Sequence, residues 1–275
     1  MVIKMESKQK YRFKCKICDA EEFNFDIRKG NYTYVVCAGC GTSILHPIPD
    51  EATLKEFYET YEKDGGDYLR IRELDKGPYF KDYDLTFSDL GFDLKYSKNV
   101  LDVGCATGIF LEFLKEKGIN AKGIDISSKM IEKGKKKGLN CETTDLFSLS
   151  EKFDLITLWD VIEHFINPKE VFKKVYQLLE KEEDIIIQTP CKGLISENFK
   201  EEWRHYNPPQ HIYLFNQNSL FYLLTLTKFM IVNWIRIGSG NDAGTIPAKP
   251  KKVFDSISKK LGIEDNIIVW AKKRC

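Results

Sequence analysis

Asn99-Val100-Leu101-Asp102-Val103-Gly104-Cys105-Ala106-Thr107-Gly108 carries an apolar run into a turn bounded by two glycines. Gly123-Ile124-Asp125-Ile126 follows, with Asp125 17 residues beyond Gly108. Between them Ile109, Phe110, Phe113 and Leu114 recur at helical spacing. Strand, glycine turn, amphipathic helix and a second strand ending in a carboxylate is a layout that holds a nucleotide-type cofactor across the carboxyl ends of two parallel strands. Gly104 and Gly108 permit the turn and let a ligand approach the helix start. A dinucleotide fingerprint reads Gly-x-Gly-x-x-Gly; here Ala106 stands at its third position and no glycine follows Gly108 at the required spacing.

Outward from this stretch the pattern alternates. Val100–Val103 and Ala121–Ile124 read as buried strands, and Ser127 caps a helix that carries Met130 and Ile131 and stops at Gly138. Phe153–Leu158 and Asp184–Thr189 read as further strands around a helix opened by Pro168. Residues 190–218 read as a long aromatic loop, Leu220–Leu226 as a short helix, and Met230–Ile237 with Ile267–Lys272 as the last two strands. Residues 238–262 read as a mobile insertion. Upstream, 51–96 is helical and aromatic-rich, broken by Gly65-Gly66 and Gly77-Pro78.

With 275 residues and 43% apolar content, the chain suits one large domain with appendages. Forty-two basic against 41 acidic side chains give a net charge of +1, which disfavours nucleic acid as a partner. No apolar run reaches the roughly 18–20 residues that span a bilayer. Met1–Lys14 is polar and lysine-rich, unlike a secretory leader, so a cytoplasmic location is expected.

Eight cysteines in a reducing compartment point to metal or buried thiols. Cys15-Lys16-Ile17-Cys18 and Cys37-Ala38-Gly39-Cys40 are two Cys-x2-Cys pairs with 18 residues between them. That spacing fits a four-thiolate zinc ribbon with a structural ion, against the alternative of unlinked or redox-active pairs. Phe23–Ile27 and Tyr32–Val36 flank a turn at Lys29-Gly30-Asn31, and His46-Pro47-Ile48-Pro49 ends the module. With so little core of its own, such a ribbon should owe most of its folding free energy to the metal.

Leu101-Asp102-Val103-Gly104-Cys105-Ala106-Thr107-Gly108 resembles the first motif of class I S-adenosylmethionine-dependent methyltransferases. The resemblance implies an α/β fold, a Rossmann-like seven-stranded sheet, with a small N-terminal zinc-ribbon module: ribbon 1–50, helical cap 51–96, methyltransferase domain 97–275. It implies S-adenosylmethionine as cofactor, held by Asp102, Gly104, Cys105, Ala106 and Gly108. Asp125 would receive the ribose hydroxyls, with Ile126 and Met130 beside it. Asp145-Leu146 would meet the adenine edge, and Trp159-Asp160 would line the pocket. The ribbon followed by His46-Pro47-Ile48-Pro49 resembles zinc-bearing methyltransferases of sugar and secondary-metabolite pathways. In these a tyrosine closes over the cofactor, a role open here to Tyr58, Tyr61 or Tyr68.

Methyl transfer needs an aligned acceptor and often a base. Asp160-Val161-Ile162-Glu163-His164 resembles the Glu-x-x-Glu-His that binds a divalent cation in ubiquinone-pathway O-methyltransferases, with Asp160 replacing the first Glu. The segment Trp203–Phe215, with His205, Pro209 and His211, resembles the substrate-facing loop of the family. His211 is the first choice of base, with His164 and Glu163 as further catalytic candidates; hydrogen-bonded packing of His205 and His211 within the loop, and a structural role for His164, are the bland alternatives. The expected activity is methylation, on oxygen, of a small molecule or a glycan or sugar precursor. Ribosomal RNA modification with the ribbon as reader, or a non-catalytic cofactor-binding partner, are the competing readings.

Overall fold

The computed structural model describes residues 11–64, 76–238 and 264–274. Its parallel core starts from β4 (Asn99–Val103), flanked by β5 (Asn120–Asp125) on one side and β7 (Phe153–Trp159) on the other. β6 (Cys141–Thr143) extends the β5 side, and β8 (Leu179–Lys192) lies outside β7. β11 (Asn266–Lys273) runs antiparallel against β8, and β10 (Phe229–Ile237) completes that edge antiparallel to β11. The order β6-β5-β4-β7-β8-β11-β10 is the seven-stranded Rossmann-like arrangement, with one strand reversed.

The helices follow from sequence chemistry. α1 (Glu51–Asp64) and α2 (Gly77–Leu90) precede the core, and α2 stops at Gly91, whose φ of 67° closes a left-handed cap. α3 (Ile109–Glu116) buries Ile109, Phe110, Phe113 and Leu114, the face read from the sequence. Ser127 caps α4 (Ser128–Lys136) through its Oγ, which accepts the Met130 N–H at 3.2 Å. α5 (Pro168–Leu178) opens on proline, and α7 (Gln217–Leu226) on an Asn216/Ser219 capping box.

Two expectations are revised. The segment 190–218 is not one loop: it contains α6 (Leu194–Phe199) and the short strand β9 (Tyr213–Asn216), which pairs parallel with the last residues of β8. The second concerns the ribbon, expected as a small module with little core of its own: it shares the core of the main sheet. Its strands β1 (Phe23–Lys29), β2 (Tyr32–Cys37) and β3 (Ser43–His46) continue the sheet, because β3 pairs with β9 through Ser43–Leu214 and Ile44–Tyr213. Ile17, Val35 and Ile44 share one apolar cluster with Leu158, Ile187, Tyr213 and Phe215. Residues 239–263, which include most of the expected insertion, and Tyr68 lie outside the described residues. Among the described residues no helix is long and apolar enough to cross a membrane.

Candidate functional site

The glycine turn is held where β4 meets α3. Gly104 and Gly108 have φ of 70° and 84°, and Ala106 has a φ of 47°. Side chains are rare in that region. A Cβ on Gly104 would lie 2.5 Å from Cγ2 of Val161, and one on Gly108 2.4 Å from Cδ1 of Leu139. On Gly123 it would meet Leu111 and Cys105 at 2.5 and 2.6 Å. We expect Gly104→Ala to cost about 3 kcal/mol, combining left-handed strain with overpacking. Thermal unfolding should fall by roughly 6–12 °C at this chain size. Val161→Ala in the same chain should restore part of the loss, and a Tm unchanged in the single variant would refute the contact.

Asp125 ends β5 with both carboxylate oxygens engaged by backbone. Oδ2 accepts the Ala106 N–H at 2.9 Å and Oδ1 the Ser127 N–H at 2.8 Å. The carboxylate is thereby fixed at the mouth of the turn. Asp102 lies beneath, 2% exposed, accepting from the Thr157 hydroxyl at 2.8 Å. Burial pushes its carboxyl up to about 7. Cys105 and Met130 are buried, whereas Ile126 is 67% exposed. Asp145 is exposed and spends its carboxylate on its own turn, accepting from Phe147 N–H at 2.7 Å and Ser148 Oγ at 2.9 Å. Leu146 is buried behind it. Trp159 packs its ring against Tyr83, Phe87 and Phe110, facing α2 and α3.

Beyond β7 the chain turns sharply. Asp160 has a φ of 55°, and its Oδ2 accepts from Gln188 Nε2 at 2.7 Å. Val161 covers Gly104, so the segment that follows starts against the glycine turn. Glu163 is fully buried: Oε2 accepts from the Thr189 hydroxyl at 2.9 Å, and its carbonyl accepts the Ile212 N–H. Burial, with the Asp160 carboxylate nearby, raises its carboxyl well above the ordinary range.

The loop after α6 arrives at the same point. One ligand-type atom from each of Glu163, His164 and His211 lies within 4.8 Å of the other two. The structure therefore groups His211, rather than Asp160, with the Glu163–His164 pair. His164 Nδ1 is 2.9 Å from the Gln210 carbonyl, and His211 Nδ1 is 2.8 Å from the His205 carbonyl. Burial lowers both imidazoles, His164 to about 4 and His211 well below its usual value, with neighbouring His164 and His205 adding to the latter. A neutral His211 that faces a carbonyl through Nδ1 carries its proton there and keeps a lone pair on Nε2. Such a set can accept a proton, and its three donor atoms are also the types that ligate a divalent cation.

At the ribbon, Cys15 and Cys40 sulfurs lie 3.8 Å apart and Cys18 and Cys37 3.5 Å, with all four within 4.8 Å of one another. A tetrahedral ion with bonds of about 2.3 Å would separate its sulfurs by roughly 3.8 Å. A Cβ on Gly39 would lie 2.9 Å from Cys18 Sγ, so the second knuckle needs glycine there. The crowded thiols oppose one another: hydrogen bonding to Cys40 raises Cys15, burial raises Cys18 to about 11, and the Cys15 hydrogen bond lowers Cys40 to about 5. A divalent cation suits this set and removes the conflict.

Sequence reasoning passed over Val161, Thr189 and the aromatic pair Tyr34 and Tyr206. Tyr34 donates to the His211 carbonyl at 2.7 Å, and Tyr206 donates to Asp26 Oδ2 at 3.0 Å. Alternation in Tyr32–Val36 marks Tyr34 as strand, yet nothing local tells which carbonyl it meets. Tyr58 packs partly buried against the main core; the side chain of Tyr61 lies outside the described residues.

A family model described as a methyltransferase domain matches residues 78–232. Ubiquinone biosynthesis O-methyltransferase of Coxiella burnetii is 30% identical over 112 residues, covering 38% of this chain and 46% of that protein. The enzyme of the same name from Pasteurella multocida is 32% identical over 111 residues, covering 34% and 46%. The chain thus matches about half the length of these curated relatives. Among solved structures, a SAM-dependent methyltransferase from Archaeoglobus fulgidus aligns with a TM-score of 0.53 at 23% identity, over 75% of this chain and all of that one. The O-methyltransferase of a Brevibacillus brevis polyketide synthase, in complex with S-adenosyl-L-homocysteine, aligns with a TM-score of 0.53 at 16% identity, over 78% of each chain. At these identities the likeness speaks for the fold.

Proposed function

This chain belongs to the methyltransferase-domain family, and we propose that it transfers the methyl group of S-adenosylmethionine to an oxygen of a small molecule or glycan precursor. The observation that carries the reading is the Asp125 carboxylate, locked by Ala106 and Ser127 N–H groups at the mouth of a turn with no room for a Cβ at Gly104 or Gly108. An acceptor-only group fixed there suits a ribose diol. Ile126 and Phe147, 67% and 46% exposed, leave apolar surface after β5 and β6 that an adenine would cover. The names of the curated relatives support oxygen as the methylated atom.

When bound, S-adenosylmethionine supplies a methyl carbon on a sulfonium, and the sulfur leaves as a neutral thioether. The protein's part is alignment and proton removal. His211 Nε2 would take the hydroxyl proton of an acceptor aligned with that methyl group. The His205 carbonyl would hold the Nδ1 proton in place, and Glu163 and His164 hold the loop against the turn that follows β7. The ribbon thiolates would hold a structural zinc ion that touches neither the acceptor nor the methyl group.

Calorimetry with S-adenosyl-L-homocysteine tests the cofactor half. Asp125→Ala removes charge-assisted hydrogen bonds, each worth about 1.5–3 kcal/mol. We expect affinity to fall by roughly 100-fold, with the far-ultraviolet dichroism unchanged. Wild-type affinity in the variant would place the ligand elsewhere.

A further inference from the structure

The loop that carries His211 is gripped from outside the parallel sheet. Tyr34 lies in β2, three residues before Cys37, and is fully buried. Its hydroxyl donates to the His211 carbonyl at 2.7 Å. The His211 N–H donates to the Asn207 carbonyl at 3.0 Å, so the phenol holds the His211 end of a turn, 207–211, that closes on itself. Around it, Tyr206 packs edge-on at 5.0 Å and donates to Asp26 of β1, which also accepts from Ser43 and Lys192. The Leu45 N–H donates to the Ile212 carbonyl at 2.9 Å, directly after His211.

We infer that Tyr34 is a positioning residue for His211, and that the four-thiolate cluster sets the direction and tautomer of that imidazole. The inference rests on His211 being the acceptor-side base. β2 ends at Cys37, and the Cys37 N–H donates to Thr42 just before β3 begins, so the second knuckle fixes the register of the hairpin that presents Tyr34 and Leu45. With the metal gone, the two knuckles whose sulfurs lie within 4.8 Å of one another are no longer joined, and the turn 207–211 loses the fixed register of its outer clamp. The cofactor end lacks this dependence: Asp125, Ala106 and Ser127 are tied to one another. The ribbon therefore conditions the base while leaving the donor pocket standing.

A merely structural Tyr34 would fill space among Leu45, Trp203, Tyr206 and Leu214. Tyr34→Phe preserves that filling and removes the hydroxyl. The full chain has four histidines, so nitrogen-15 shifts of its imidazoles are separable, with His211 assigned from H211Q. In the wild type His211 should be in the Nδ1–H form. In Tyr34→Phe it should average between tautomers, while metal content is unchanged and S-adenosyl-L-homocysteine affinity stays within about twofold. Withdrawing the metal from reduced wild-type protein with a chelator should produce the same histidine change with the same retained affinity. A His211 that keeps the Nδ1–H form in folded, metal-bound Tyr34→Phe overturns the inference. Should that variant not fold, the chelated wild type decides: an unchanged tautomer, or affinity lost together with the metal, overturns it. Absence of S-adenosyl-L-homocysteine binding in the metal-loaded wild type would instead sink the methyltransferase reading and leave the tautomer comparison intact.

Discussion

Replacing His211 by alanine should lower methyl transfer by about 10²–10⁴-fold, the range typical of losing a positioned general base. S-adenosyl-L-homocysteine affinity should be unaffected, because the N–H groups that fix Asp125, those of Ala106 and Ser127, come from the glycine turn and the start of α4. The wild-type pH profile carries the same assignment. Burial keeps His164 down to about 4 and His211 well below its ordinary value, so both imidazoles are neutral across pH 6–8. Turnover should therefore hold steady as pH falls from 8 to 6 and decline only at lower pH, where His211 takes a proton and loses its lone pair. A profile that drops through pH 6.5 would mean an unperturbed imidazole and a different base. Once an acceptor is in hand, single-turnover rates of wild type and variant at saturating cofactor measure this directly.

Cys37→Ser should lower Tm by about 10 °C or more. Four-ligand structural zinc sites bind with apparent free energies of about 10–16 kcal/mol, and even a fraction of that is large at roughly 2–4 °C per kcal/mol for a chain of this size. The sharing of the core decides the form of the loss. Ile17, Val35 and Ile44 pack in one cluster with Tyr213 and Phe215, so melting the ribbon exposes the sheet beneath it. Calorimetry should show one transition in both proteins, displaced to lower temperature in the variant. A second transition that stays at the wild-type temperature would mean a ribbon folding by itself.

The parallel core was readable from sequence because each of its signals is local. An apolar run, a glycine turn and a helix face at 3.6-residue spacing occupy adjacent positions from Asn99 to Asp125. The Cys-x2-Cys pairs were readable for the same reason. β9 was not. It has four residues, and its partners Ser43 and Ile44 stand about 170 positions earlier, so no periodicity within Trp203–Phe215 announces it. β6, with three residues, falls below the length at which alternation shows. At the acceptor side the residue types were legible and their grouping was not. Asp160 is drawn to Gln188, and the carbonyls of Gln210 and His205 orient the two imidazoles; these contacts depend on where β8 and β9 bring the chain.

β8 outlasts its neighbour: β7 pairs with it as far as Gln188, and β9 takes up the edge at Cys191 and Lys192. That fork makes the N-terminal module non-exchangeable. A substitute reader grafted at residue 50 would have to supply a strand in register with Tyr213 and Leu214, a phenol beneath His211 and a carboxylate for Lys192. On the proposed reading, a new acceptor preference would come from rewriting side chains between Trp203 and Phe215 on the existing frame, since a transplanted front end would arrive without the joinery that holds the His211 loop.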